Sequence, residues 1–161
     1  MRSEGRTLFC TGGASGIGAA VCRRFASEGG EVAIAGIDAD AAATVAASIE
    51  GAVSFGIDIS DEAAVGAAIA STVATFRGIS AVYNGAGNLT VGATEGFAAR
   101  DFMRMREVHA PGTFLVCRKA IPALRASGHG AIVDTSHVTA HRLVVDGSFT
   151  ADRGDGARGG P

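Results

Sequence analysis

Thr11-Gly12-Gly13-Ala14-Ser15-Gly16-Ile17-Gly18 is the stretch of this 161-residue chain that decides its fold. The apolar run before it, Thr7–Cys10, predicts a buried strand, and Ala19–Ala26 after it predicts a helix. A glycine loop between a strand and a helix leaves backbone N–H groups and a positive helix N-terminus open to a phosphate. The T-G-x-x-x-G-x-G spacing therefore predicts a dinucleotide site. The alternative is an ordinary tight turn that binds nothing.

An acidic residue follows the second predicted strand, Glu31–Ile37. This residue, Asp38, stands where a carboxylate can accept hydrogen bonds from both hydroxyls of an adenosine ribose, and it would repel a 2′-phosphate. The neutral side chain of Ser15 agrees with that preference, so we expect NAD rather than NADP. Asp38 is also placed to cap a helix predicted over Ala39–Ile49, and the two roles are compatible.

The rest of the chain alternates strands with helices. Further strands are predicted at Ala52–Ile57, Ile79–Tyr83 and Ala131–Thr135. A helix capped by Ser60 or Asp61 extends to Phe76, and a longer helical span, Glu95–Ala126, is interrupted at Pro111-Gly112. This alternation predicts an α/β fold with three layers, namely a doubly wound parallel sheet of about five strands covered by helices. The residues that follow the strand ends therefore share one edge of the sheet.

Composition limits the partners and cofactors. With 14 basic and 16 acidic residues the net charge is −2, which implies no nucleic-acid partner. Cys10, Cys22 and Cys117 fall in predicted strands and helices, so we expect buried reduced thiols rather than a disulfide or a metal site. The polar start predicts no signal peptide, and no apolar run is long enough to span a bilayer. We therefore expect a cytoplasmic protein that is not bound to a membrane.

Together these motifs resemble the short-chain dehydrogenase/reductase family over roughly residues 5–145. Asn84-Gly85-Ala86-Gly87 is similar to the family's N-N-A-G motif, with glycine for the second asparagine. Asp58 is similar to the family's adenine-site aspartate, although a capping or turn role is an equal alternative. The resemblance implies a Rossmann-type fold, NAD as cofactor, hydride transfer between an alcohol and a carbonyl compound, and a homo-oligomer. It places the cofactor against Gly12, Ser15, Gly16, Ile17, Gly18, Asp38, Asp58, Ile59, Asn84, Ala86 and Gly87.

The catalytic residues of that family, Asn, Ser, Tyr and Lys, match this chain poorly. His109 stands at the Asn position, and His137 stands at the catalytic Ser position, one residue after Ser136. Either Ser136 serves, or one residue is missing between His137 and Phe149. Phe149 and Arg153 occupy the Tyr and Lys positions of the Y-x-x-x-K motif. Phe149 has no hydroxyl to move a proton, and Arg153 can bind a ribose but cannot replace a phenol.

Residues 146–161 are rich in Gly, Arg and Asp and show no apolar periodicity. We expect a domain over residues 1–145 followed by a disordered tail. Relative to the family the chain is expected to be truncated, without the C-terminal strands and helices and with a compromised subunit interface. The hypotheses are an altered dehydrogenase of weak or no activity, a non-catalytic NAD-binding module or inactive fragment, and an α/β domain that binds no nucleotide. The sequence does not identify a substrate.

Overall fold

A computed structural model describes residues 1–89, residues 94–135 and the backbone of residues 141–145. In these parts of the chain six strands form one sheet in the order β3-β2-β1-β4-β5-β6. The strands are β1 Thr7–Thr11, β2 Glu31–Gly36, β3 Val53–Gly56, β4 Ala81–Asn84, β5 Gly130–Asp134 and β6 His141–Val145. The first five strands are parallel, and β6 pairs antiparallel with β5.

Helices connect the parallel strands. They are α1 Gly16–Ser27, α2 Ala39–Ala47, α3 Glu62–Phe76, α4 Ala99–Glu107 and α5 Thr113–Ala126. A 3₁₀ turn, Thr94–Gly96, precedes α4, and a π-helical turn, Val108–Gly112, separates α4 from α5. Pro111 lies within the π-helical turn, so the predicted interruption of the long helical span occurs as a change of helix type.

The central strands bury both of their faces. All five residues of β1 are buried, and neighbouring side chains of a strand point to opposite faces. Leu8 and Ile34 pack with α1 and α2 on one face. Phe9 and Ile132 pack with α3 and α5 on the other face. The sheet therefore lies between two helical layers, which confirms the predicted three-layer, doubly wound α/β architecture.

The antiparallel strand β6 is absent from the sequence-based prediction of about five parallel strands. Only residues 135–140 connect β5 to β6. A parallel crossover needs a dozen or more residues, whereas antiparallel neighbours can be joined by a short turn. The short connection thus accounts for the reversed direction of this strand.

Aspartates cap two helices of the fold. Asp38 Oδ1 accepts a hydrogen bond from the Ala41 backbone N–H at 2.9 Å, at the start of α2. Asp61, rather than Ser60, caps α3, and its Oδ1 accepts from the N–H groups of Ala63 and Ala64. Each cap satisfies backbone donors that have no partner within the helix.

The three cysteines are free thiols. Cys10 and Cys22 are fully buried, whereas Cys117 is half-buried, so the expectation of a buried thiol is met at the first two positions. Within the described residues no group of three His, Cys, Asp or Glu side chains is arranged to hold a metal ion. None of the helices described is long and apolar enough to cross a membrane.

Candidate cofactor site

A cleft of about 430 Å³ opens at the carboxyl edge of the sheet. The loops that follow β1, β2, β3 and β4 line it, together with one side chain of α4. In doubly wound sheets this edge, near the point where strand order reverses, is where ligands bind. The predicted cofactor residues that line the cleft are Gly12, Ser15, Asp38, Asp58, Ile59, Ala86 and Gly87.

The glycine loop is packed too tightly for side chains at two positions. Gly12 has φ +67°, and a Cβ there would overlap the Gly85 carbonyl and lie 2.6 Å from the Ala86 nitrogen. A Cβ on Gly18 would overlap the Gly12 carbonyl oxygen. These glycines therefore let the loop pack between α1 and the segment that follows β4.

Gly16 differs from those two glycines. Its φ is +51°, but a Cβ there would meet no protein atom within 4 Å. The space in front of the loop at Gly16 is therefore open. Such a cradle of bare backbone beside a helix start fits the close approach of a pyrophosphate.

The N-terminus of α1 adds positive potential to this cradle. Ser15 occupies the N-cap position, yet its side chain forms no capping hydrogen bond, and the first turn contains no acidic residue. Ile17, the second residue of α1, is 73% exposed. The backbone donors and the dipole of α1 are thus available to an anion.

Asp38 stands at the end of β2 on the wall of the cleft and is exposed. Its Oδ1 caps α2, as the sequence predicted, so one carboxylate oxygen is engaged. The other oxygen is the acceptor that a ribose hydroxyl would need. The capping geometry also orients the side chain, since it fixes one oxygen on the start of α2.

Asp58 forms a hydrogen-bonded network with Ser60 and Arg104 at the end of β3. Its Oδ1 accepts from the Ser60 N–H at 3.0 Å and from the Ser60 hydroxyl at 2.7 Å. Its Oδ2 forms an ion pair with the Arg104 guanidinium. Burial raises the pKa of Asp58, but the hydrogen bonds from Ser60 and Arg104 outweigh it and hold the pKa below its usual value.

Arg104 is the charged residue of the cleft lining that the sequence analysis missed. It extends from α4 and contacts Ser60 Oγ and Glu107 Oε2, both at 3.0 Å, in addition to Asp58. Its partners at the end of β3 lie more than forty positions earlier in the chain. No local pattern links such residues; the i, i+3 spacing to Glu107 indicates only a helix-surface pair.

Four of the residues that the resemblance implied as cofactor contacts, Gly16, Ile17, Gly18 and Asn84, are not among those that line the cleft. Asn84 is the last residue of β4. It is 4% exposed, and its Nδ2 donates to Asp134 Oδ1 at 2.7 Å and contacts Cys117 Sγ at 3.4 Å. The Asn84 carbonyl accepts from the Thr135 N–H and hydroxyl. Asn84 therefore ties β4 to β5, and the Gly85–Asn88 segment after it forms the wall of the cleft.

His109 lies in the π-helical turn and packs against that wall. Its Nε2 is 2.9 Å from the Asn88 carbonyl oxygen, and a Cβ on Gly87 would overlap its ring. A carbonyl oxygen only accepts, so Nε2 carries the proton. A histidine at the family's Asn position can hydrogen-bond water, face solvent or pack against a helix; here His109 is exposed and its ring is hydrogen-bonded to the loop after β4. Among the other catalytic candidates, Ser136, His137, Phe149 and Arg153 lie outside the described residues, as does the predicted tail.

Fold and cleft define a Rossmann-type α/β domain. Residues 6–148 match the family model of the short chain dehydrogenases, and the chain belongs to that family. The cofactor-site motifs of the sequence thus led to the correct family.

Curated relatives of this chain are named as dehydrogenases. The chain is 36% identical over 139 residues to a 2,5-dichloro-2,5-cyclohexadiene-1,4-diol dehydrogenase of Sphingobium indicum, a match that covers 84% of this chain and 56% of the relative. It is 34% identical to a 2-dehydro-3-deoxy-L-rhamnonate dehydrogenase (NAD(+)) of Sphingomonas sp., with 85% and 55% covered. The chain thus spans about half the length of the curated relatives it matches.

A solved structure has the same fold. The 3-ketoacyl-(acyl-carrier-protein) reductase from Brucella melitensis, crystallised as a complex with NADH, superposes with a TM-score of 0.78 at 31% identity. The match covers 81% of this chain and 57% of the reductase chain.

Proposed function

We propose that this chain binds NAD(H) in the cleft and serves hydride transfer between the nicotinamide and an alcohol or carbonyl substrate. One observation carries the proposal: the same cleft contains the N-cap residue of α1, whose side chain forms no capping hydrogen bond, and the two carboxylates of Asp38 and Asp58. A family relative named as an NAD(+) dehydrogenase and a reductase crystallised with NADH support it.

The cleft and the adjoining glycine loop offer a complementary group to each part of the dinucleotide. The open cradle at Gly16 and the N-terminus of α1 suit the pyrophosphate. The free oxygen of Asp38 suits the adenosine ribose hydroxyls and disfavours a 2′-phosphate, which favours NAD over NADP. Asp58 suits the amino group of adenine, because an ionised carboxylate only accepts hydrogen bonds.

NAD supplies a hydride acceptor or donor when it is bound. The protein must add a group that exchanges a proton with the substrate oxygen. His109 donates its Nε2 proton to Asn88, so in this structure it orients the loop after β4. The residues at the family's Ser, Tyr and Lys positions are Ser136 or His137, Phe149 and Arg153, and their roles in this chain are proposals from sequence alone.

A non-catalytic NAD-binding module is the second candidate function. The observation that favours it is Phe149, which has no hydroxyl at the position where the family reaction needs a phenol. In this reading the cleft binds NAD(H) as described, and the chain acts as a sensor or as a partner subunit. Formation of a homo-oligomer and a cytoplasmic location remain predictions under both readings, and a small-molecule alcohol or carbonyl substrate is a prediction only for an active dehydrogenase.

NADH binding is the first test. We expect saturable enhancement of NADH fluorescence at micromolar concentrations of the dinucleotide. Gly18→Val should weaken binding more than about tenfold, because a side chain there would displace the Gly12 carbonyl and distort the cradle. Circular dichroism and thermal melting of the variant show whether the fold persists. An absence of saturable enhancement with the unaltered chain would favour an α/β domain that binds no nucleotide.

The double variant Phe149→Tyr with Arg153→Lys separates the two candidate functions. If the chain is an altered dehydrogenase with an otherwise intact site, we expect NAD-linked oxidation of small diols to appear, measured as absorbance of NADH. The phenol restores the proton-transfer group, and the lysine lowers its pKa. Phe149→Tyr alone is the matched control and should give less activity. Continued inactivity with unchanged NADH affinity would support the non-catalytic module.

A further inference from the structure

Arg104 and Ser60 close a ring of hydrogen bonds around the Asp58 carboxylate. Arg104 pairs with Asp58 Oδ2 and donates to Ser60 Oγ, and the Ser60 hydroxyl in turn donates to Asp58 Oδ1. The Ser60 N–H also donates to Oδ1. Because both oxygens are engaged from two sides, the plane of the carboxylate is fixed relative to the cleft.

The ring leaves little acceptor capacity on Asp58. A carboxylate offers about four acceptor positions, two on each oxygen. Two hydrogen bonds from Ser60 engage Oδ1, and Arg104 engages one position of Oδ2. The remaining acceptor position is on Oδ2, and Asp58 itself lines the cleft. A donor on the ligand suits this position, and an acceptor is repelled by it.

Three of the five N–H donors of Arg104 are also engaged at this end of the cleft. Its Nη1 donates to both Ser60 and Glu107, and its Nη2 donates to Asp58. The guanidinium is therefore held in place by three protein partners. The apolar side chains of Ile37, Ile57 and Val108 line the same cleft and give a flat base an apolar surface to rest on.

We propose that Arg104 is a positioning residue that, through Asp58, makes the cleft select a base bearing an exocyclic amine over one bearing a carbonyl. The selected base is adenine, and the rejected one is hypoxanthine. This inference rests on the proposed function, since it concerns the adenine end of the same dinucleotide site. It assigns to α4 a part in cofactor recognition that the family motifs of this sequence do not contain.

The test compares NADH with its hypoxanthine analogue in binding titrations. For the unaltered chain we expect about tenfold tighter binding of NADH, the effect of one hydrogen bond to a charged group. Arg104→Met retains a long side chain but has no hydrogen-bond donors. We expect it to reduce the ratio of the two dissociation constants to about threefold or less. Ser60→Ala opens the ring from the other side and is expected to reduce the ratio similarly. Arg104→Lys should give an intermediate ratio, because one ammonium lacks the planar fork that contacts Asp58 and Ser60 together.

Arg118→Met is the matched control. Arg118 forms an ion pair with Glu62 on the surface of α3 and α5 and does not line the cleft. Its removal should leave the ratio unchanged. If Arg104→Met and Ser60→Ala weaken both dinucleotides in parallel at a constant ratio, the ring serves only the fold and the proposal is overturned. If the unaltered chain binds neither dinucleotide, the proposed function fails and this assignment fails with it.

Discussion

Gly12→Ala is expected to lower the free energy of unfolding by about 3 kcal/mol and to weaken NADH binding more than about tenfold. Two costs add at this position. The positive φ of +67° disfavours any residue with a Cβ, and that Cβ would overlap the Gly85 carbonyl. Relief of the overlap requires the glycine loop and the segment after β4 to separate. The same two segments form the wall of the cleft, so binding and stability should fall together.

Gly51→Ala is the matched control for this prediction. Gly51 has φ +72°, close to that of Gly12, but a Cβ there would meet nothing within 4 Å, and Gly51 is not in the cleft. Backbone strain alone should cost about 1 kcal/mol. Urea unfolding and NADH titration of both variants separate the cost of the positive φ from the cost of the overlap with the Gly85 carbonyl. Equal losses of stability in the two variants would show that the contact with Gly85 is not tight.

The local features of the site were predictable from sequence because each depends on neighbouring residues. The glycine loop combines a strand, a turn and a helix start within a few positions, and Asp38 ends a strand and caps the next helix. The alternation of strands with helices predicted the three-layer architecture for the same reason. These signals gave the fold class, the candidate cleft and seven of the sixteen residues that line it.

The features that sequence analysis missed depend on contacts between distant parts of the chain. Arg104 meets Asp58 across 46 positions, and Asn84 meets Asp134 across 50 positions. Hydrophobic periodicity identifies which face of a strand is buried but not which polar partner lies there. The resemblance to the N-N-A-G motif implied a cofactor contact for Asn84, whereas the structure pairs its Nδ2 with Asp134 of β5. The sequence analysis did not predict β6, and its antiparallel direction follows only once its bounds are known, because residues 135–140 are too few for a parallel crossover.

Asp38→Asn is expected to lower the preference for NADH over NADPH at least about tenfold, measured as the ratio of their dissociation constants. In the proposed site the carboxylate accepts from ribose hydroxyls and repels a 2′-phosphate, whereas an amide whose oxygen caps α2 offers the ribose only an N–H donor and carries no negative charge. Asparagine is as good a helix cap as aspartate, so this variant keeps a side-chain oxygen for the Ala41 N–H. Its thermal stability should therefore change little.

Comparison with Asp38→Ala and Asp61→Ala separates the two roles of Asp38. Each alanine removes a helix cap and should cost about 1 kcal/mol of unfolding free energy. Only Asp38 lines the cleft, since Asp61 caps α3 without contributing to the lining. We expect both Asp38 variants to lose cofactor preference and the Asp61 variant to keep it. If Asp38→Asn kept its preference while Asp38→Ala lost it, the preference would depend on the orientation of the α2 start rather than on charge. The choice between NAD and NADP would then lie in the loop geometry that the cap maintains.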